Sequence, residues 1–307
     1  VKKAVDDGKL VIDKDVANAA IDNAVAGKKD AISKSPLTDE EKTALNNEVD
    51  QKAQDAKEAI NNATTPEAVS SAQDTGIKNI NGTEVPSVSP AKTAAKEAVQ
   101  KAATDKITAI NNASSLTKEE KSKLVDQVNN IVTQADANID KATTNAVVEE
   151  AQENGISDIN NIEIPTTSSS KDQAANTIDQ AADEAKKVID ATPGLTDDQK
   201  QAAKDQIDQD AENTKNNIAK ATDDQGVQDA TDAGLLDIDK VTAKTAVDSA
   251  AAIKKDEISK APLTTDEANN LNDLVDAEAQ AAKDAIDGAT TIPAVEDAKN
   301  TGVDTIN

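Results

Sequence analysis

The feature that most constrains this chain is that it repeats itself. A Leu-Thr step recurs at Leu37, Leu116, Leu195 and Leu263, and a glycine recurs at Gly8, Gly76, Gly155, Gly234 and Gly302. The interval from Leu to the next Gly is 39 residues in every copy: Leu37 to Gly76, Leu116 to Gly155, Leu195 to Gly234, Leu263 to Gly302. An interval held that constant marks one structural unit in tandem, whose copies pack on their neighbours. The return interval takes two values, 29 residues from Gly8 and Gly234 but 40 from Gly76 and Gly155. The longer junctions read NGTEVPSVSP and NNIEIPTTSS, with the Pro, Ser and extended Glu-Val-Pro or Glu-Ile-Pro steps of linkers; the shorter ones contain no Pro.

Within each unit the apolar residues keep helical phase. The first element carries Ile21, Val25 and Ile32, matched by Val99/Ala103/Ile110, Ile178/Ala182/Ile189 and Val247/Ala251/Ile258. Ser89-Pro90 offers a cap followed by Pro at the first helical position, and Ser170 with Gln173 has capping-box spacing. The second element carries Leu45, Val49, Ala53, Ala56 and Ile60. Its copies are Leu124/Val128/Val132/Ala135/Ile139, Ala203/Ile207/Ala211/Thr214/Ile218 and Leu271/Val275/Ala279/Ala282/Ile286. Each copy opens on a capping box, Thr38/Glu41, Thr117/Glu120, Thr196/Gln199 and Thr264/Glu267.

The third element starts at Thr65, Thr144, Asp223 or Thr291 and carries Val69/Ala72, Val148/Ala151, Val227/Ala230 and Val295/Ala298. The recurrent Gly follows, then Ile80, Ile159, Ile238 and Ile306. The Gly either ends the helix in a left-handed cap or is a close-packing position inside a helix that continues to the Ile, whose phase favours the second. Val1, Ala4, Gly8 and Ile12 match this element, so the chain opens inside the last helix of a preceding repeat, and a start at Val predicts a fragment of a longer protein.

The fold expected is therefore all-α, a tandem array of four three-helix bundles forming an elongated rod. The boundaries are 1–13 (end of a preceding repeat), 14–82, a Pro linker at 83–88, 89–161, a Pro/Ser linker at 162–168, 169–239 and 240–307. An odd number of antiparallel helices puts entry and exit at opposite ends, so four units reach roughly 150 Å. The short junctions near Ile12 and Ile238 are expected to be stiffer, as continuous helix, than the Pro-containing ones.

Composition narrows function. The chain has no Phe, Tyr, Trp, Cys, Met or His, and every basic residue is Lys. One large core without aromatics is improbable, and many small Ala/Val/Ile/Leu cores fit better. No Ser-His or Cys-His pair, thiolate, disulfide or usual zinc site can be built. Acidic pairs such as Asp197/Asp198 and Asp223/Asp224 fit a solvated face better than a cleft. Asp205/Asp208/Asp210 lacks the Asp-x-Asp-x-Asp-Gly loop of a calcium site, and Thr166–Ser170 reads as linker and helix cap, with glycosylation the other reading. No catalytic, cofactor-binding or metal residue is assigned, and no cofactor is expected. The net charge of −25, from 33 Lys against 58 acids, predicts no nucleic-acid partner. No apolar run predicts membrane insertion. Binding hot spots favour Trp, Tyr and Arg, and the chain has none.

The joint pattern of an Ala/Lys-rich helix, LTDEEK or LTKEEK, then INNATTPEAV or IDKATTNAVV, then the Gly and Ile, resembles the domain-of-unknown-function family numbered 1542. That family is found in long cell-wall-anchored proteins of staphylococci and lactobacilli, and the likeness covers nearly the whole chain. The resemblance implies an extracellular, wall-anchored, Gram-positive location and a non-catalytic stalk projecting a distal adhesive domain. It also implies matrix or serum proteins or neighbouring cells as partners of the full-length protein. The alternative is that the repeats themselves bind a host protein or mediate aggregation. The chain is expected to be monomeric.

Overall fold

The computed structural model describes residues 1–307, with the side chains of residues 2–4 outside the described set; the Ala4 position of the opening stub falls there. Among the described residues there are eleven helices and no strand. They are α1 (Lys2–Ser33), α2 (Asp39–Asn62), α3 (Pro66–Asn81), α4 (Pro90–Asn112), α5 (Lys118–Lys141), α6 (Asn145–Asn160), α7 (Ser169–Ala191), α8 (Asp197–Lys220), α9 (Asp224–Lys260), α10 (Thr265–Gly288) and α11 (Ile292–Ile306). The chain is all-α, built from three-helix repeats, and the contacts divide it into two compact units: Val1–Ile110 with Leu124–Glu163, and Asn111–Lys123 with Ile164–Asn307.

In the first unit, the second part of α1 packs with α2 and α3 around Ile21, Ile32, Val49, Ile60, Val69 and Ile80. The next repeat places Gly155 of α6 against Ala135 of α5 and Val99 of α4. In the second unit, α7, α8 and the first part of α9 enclose Ile178, Ile189, Ile207, Ile218, Val227 and Ile238. The remainder of α9 joins α10 and α11 around Val247, Val275, Ile286 and Val295. The largest fully buried side chains are all isoleucines. Each contributes about 1.5–3 kcal/mol by burial, so a few per repeat, braced by alanines that let helices approach closely, replace the missing aromatics.

The recurrent glycines sit inside helices, not at their ends. A Cβ on Gly155 would lie 2.6 Å from the Ala135 Cβ on α5, and one on Gly76 would run into the Ala56 Cβ on α2. No real Cβ tolerates such approaches, so Gly is where the third helix crosses the second. In the opening stub the matching Gly8 faces open space, and Ile12 is 63% exposed.

The capping boxes form at Thr38, Thr117, Thr196 and Thr264. Thr65, Thr144, Asp223 and Thr291 cap the third helices. Ser89 caps α4 by accepting from the Lys92 N–H. One cap differs from expectation: α7 is capped by Ser168, which accepts from the Lys171 N–H, so the helix starts before Ser170. The stripes are also narrower than their pattern. Val25, Leu45, Leu124, Val132 and Ala203 are half-buried, and Leu271 is exposed, because each helix of a bundle has only two neighbours to cover its stripe.

Candidate functional site

The sequence candidates do not converge. Asp197 and Asp198 are exposed in the first turn of α8, where they favour the helix N-terminus. Asp205 accepts from Gln201 and Asp208 pairs with Lys186. Asp210 lies in a groove with Asp237, Lys240, Lys244, Asp248 and Asp287. Burial raises the Asp210 carboxyl above its ordinary value, and Asp237 adds to the rise. Among the described residues no three acidic side chains converge as metal ligands would. Ser168 is a cap and Ser169 opens α7, while Ser170 donates its N–H to a glutamate from another repeat.

That glutamate belongs to the arrangement the sequence did not reveal. At the start of α2, Glu41 Oε2 accepts from the Thr38 N–H at 2.9 Å, closing its own capping box. Its other oxygen accepts from the Ala91 N–H at 2.9 Å, in the first turn of α4. Glu40 Oε2 accepts from the Asn145 N–H at 2.9 Å, at the first residue of α6. The Asp39 N–H donates to the Thr143 carbonyl at 2.8 Å, and Thr38 Oγ1 reaches Asn145 Oδ1 at 2.7 Å. The N–H groups of Ala91 and Asn145 have no partner within their own helices, so two carboxylates of one repeat cap two helices of the next. We call this arrangement a latch. Burial is the largest single influence on the Glu41 carboxyl and raises it. The Ala91 and Thr38 amides with the Ser89 and Thr38 hydroxyls outweigh burial together, so the group sits below its ordinary value.

A second latch has the same parts. Glu120 accepts from its own Thr117 N–H at 3.0 Å and from the Ser170 N–H of α7 at 3.1 Å. Glu119 accepts from the Asp224 N–H of α9 at 2.8 Å. The Lys118 N–H donates to the Thr222 carbonyl at 3.0 Å, and its ammonium meets Asp223 at 3.0 Å. The carboxyl of Asp223 is held low first by the Gly226 N–H and then by Lys118. Burial again opposes ionisation of Glu120, and again the amides and hydroxyls around it prevail. Both latches bury their Leu-Thr step: Leu37 and Leu116 are 3% exposed, and Thr38 and Thr117 are wholly covered.

The family model described as Domain of Unknown Function (DUF1542) matches the chain four times, over residues 13–88, 91–167, 170–246 and 239–307. The chain belongs to the DUF1542 family. It is 32% identical over 218 residues to the extracellular matrix-binding protein EbhA of Staphylococcus aureus strain Newman, an alignment covering 70% of this chain and 6% of that protein. It is likewise 32% identical to the extracellular matrix-binding protein ebh of strain NCTC 8325 / PS 47, over 70% of this chain and 2% of that protein. For EbhA of strain Mu3 / ATCC 700698 the identity is 32% over 230 residues, 73% of this chain and 3% of the relative. The chain therefore spans only a few per cent of the length of these relatives. The crystal structure of the EbhA 756–1003 domain from Staphylococcus aureus aligns with 92% of this chain and 99% of that one at 15% identity and a TM-score of 0.20.

Two of the DUF1542 matches overlap over 239–246, inside α9. Here the third junction dispenses with a latch. α9 runs unbroken for 37 residues, serving as last helix of one repeat and first helix of the next. The corner between α7 and α8 presses on it instead: the Pro193 carbonyl accepts from Ser249 Oγ at 2.7 Å, and Gly194 adopts φ 74°, against Ile253. The position of Glu41 and Glu120 is occupied by Gln199, which only closes its own box. α1, through the other short junction, is also continuous, at 32 residues.

Lysines complete the pattern. Lys14, Lys92, Lys171 and Lys240 occupy one register and each donates to a carbonyl at the end of its repeat's second helix, at Asn61, Asp140, Ala219 and Asp287. A second register follows junction type. Lys28 donates to the carbonyls of Asn81 and Thr83, and Lys106 to those of Asn160 and Ile162, securing the end of the third helix and the start of the linker. In the repeat whose third helix continues, this register holds the buried Ala185. These lysines satisfy carbonyls that a helix end leaves without partners.

Proposed function

We propose that this chain is a non-catalytic stalk segment of a bacterial cell-surface protein, whose DUF1542 repeats set distance and stiffness for a distal adhesive region. In this reading the repeats occupy 14–82, 89–161, 169–239 and 240–307 and stack into an elongated rod. The observation that carries it is how the polar side chains are used. Carboxylates and lysines that would otherwise form a site are spent on helix ends and on joining one repeat to the next. The staphylococcal relatives are named for matrix binding, which supports a surface location and matrix proteins as partners of the whole protein. Wall anchoring belongs to the same proposal, as does a monomeric state.

Small-angle scattering of the chain tests the rod. A maximum dimension near the roughly 150 Å expected from four stacked helical units supports it, and a compact particle overturns it. The relatives' names also favour a second reading, in which the repeats bind matrix themselves. Titration of the chain against immobilised matrix proteins separates the two, since saturable binding at micromolar concentration or tighter defeats a pure spacer.

A further inference from the structure

The fourth repeat ends on a surface that has a counterpart, covered, in repeats one and two. Leu263 is 38% and Leu274 56% exposed, and with Leu271 and Ile306 they line an apolar trough of about 580 Å³. The matching Leu37 and Leu116 are covered in the two latches. In repeat one the linker residue Val85 also packs on the core of its own bundle.

Two positions on successive helices, Lys254 on α9 and Glu267 on α10, carry the residues of a latched repeat. Lys254 stands in the register of Lys28 and Lys106 and donates to a main-chain oxygen of Asn307 at 2.7 Å, the position at which Asn81 and Asn160 accept from those lysines. Repeat three, which passes into a continuous helix, has Ala185 there. Glu267 stands in the register of Glu41 and Glu120, where repeat three has Gln199. Glu267 uses Oε2 for both contacts with Thr264, at 2.8 Å to the N–H and 2.7 Å to the hydroxyl. In the latches, the other oxygen of this glutamate accepts an amide of the following repeat. Thr265 matches Asp39 and Lys118, whose N–H groups donate to a carbonyl of the following repeat. It is exposed, and its N–H has no partner among the described residues.

We propose that the surface formed by Leu263, Thr264, Thr265, Glu267 and Leu271 is a socket for one further repeat of the latched kind. The occupant enters through a Pro-containing linker and brings a Ser-capped first helix. Its third helix starts at a Thr-Thr-Asn or Thr-Asp-Asp corner with a free N–H. Repeat one cannot fill the socket, because its corner is Thr64-Thr65-Pro66 and Pro66 has no N–H to donate. The inference goes beyond the stalk reading, because the pairing rule holds whether or not the repeats bind a ligand.

The test extends the full chain at Asn307, the counterpart of Asn81, with a second copy of its own residues 82–161. Hydrogen exchange followed by mass spectrometry reads the peptide spanning 259–270. Exchange there is expected to slow at least tenfold on extension, and Glu267→Ala in the extended chain is expected to reverse that slowing while circular dichroism stays unchanged. Unchanged exchange with the added repeat folded overturns the proposal. An added repeat that stays unfolded also overturns it, since the same residues are helical at 82–161 and the socket has then failed to support them. Protection that appears in the unextended chain as its concentration rises overturns it too, because the occupant is then a second molecule.

Discussion

The junction after repeat one and the junction after repeat three solve the same problem by opposite means. After repeat three, backbone hydrogen bonds carry the chain across: α9 does not stop, and Val241, Ala243 and Thr245 are buried along its middle. After repeat one, the helix stops at Asn81 and the chain crosses without regular secondary structure. Side chains must then make the join: Glu40 and Glu41 on two helix starts, Lys28 on the linker carbonyls, Thr83 buried beneath Lys52. The first kind of junction depends on local propensity along one helix. The second depends on partners about 50 and 105 residues apart in sequence. A continuous helix resists bending along its length, whereas a latch holds only while its polar groups stay paired.

The comparison breaks most sharply at α9. Thr242→Pro removes a helical N–H and drives the ring into the preceding turn, at a cost of about 3 kcal/mol or more. Denaturant unfolding followed by circular dichroism is expected to show an early transition from repeats three and four. Repeat one keeps its exchange protection, because array stability is close to a sum of unit and neighbour contributions. Unfolding as a single shifted transition of the whole chain would show the repeats to be more tightly coupled than this.

A smaller effect separates the latch from the cap. Glu41→Ala removes a capping box and a hydrogen bond to the next repeat, and is expected to cost about 1–2 kcal/mol. Gln199→Ala removes only the box and is expected to cost about 0.5–1 kcal/mol. Glu41→Gln copies repeat three, keeps the box, and isolates the charge. If the Glu41 and Gln199 alanine variants lose equal stability in denaturant titrations, the amide of Ala91 adds nothing and the latch is only a cap. Lys28→Ala is expected to cost about 0.5–1.5 kcal/mol for two carbonyls left to water. It should speed exchange over 82–88 without touching α9.

Much of this was legible in the sequence, and what was not has a common cause. The repeat length, three helices per unit, the capping boxes and the continuous short junctions follow from spacing, because caps and stripes are written in residues a few positions apart. The glycine was legible as one of two options, and the structure decides between them through distances to the neighbouring helix that no spacing contains. The latches were missed because Glu40 and Glu119 act on helices four elements later, and in a chain with 58 acidic residues two more glutamates look like surface. The lysines at 14, 92, 171 and 240 recur as strictly as the glycines. Their register was a signal that carbonyls needed partners, hidden because exposed lysine is the default for a helix face. Ser168, not Ser170, caps α7 because the three serines 168–170 offer the same chemistry and only the linker's path selects one.

Acid should move the two junctions in opposite directions, by the smallest amounts considered. Glu41 and Glu120 are held below their ordinary value in the fold. A carboxyl depressed on folding contributes stability that is fully present above its unfolded value, about 4.3, and is lost as pH falls through the folded one. The latches are therefore firm at neutral pH and loosen below about pH 4. Along the continuous junction the sign reverses. Asp239 on α9 and Asp210 on α8 are raised, each by burial first, with Glu296 adding to the one and Asp237 to the other. A raised carboxyl penalises the fold while ionised, so that penalty is relieved as pH falls through the raised value, and relief is complete below the unfolded one, about 3.9. Protection factors from hydrogen exchange, corrected for intrinsic rates, are expected to drop over 36–42 and 117–123 on acidification while those over 236–246 hold or rise. Parallel loss at all three segments would mean that the 25 excess negative charges, and not the individual carboxylates, govern how the chain responds to acid.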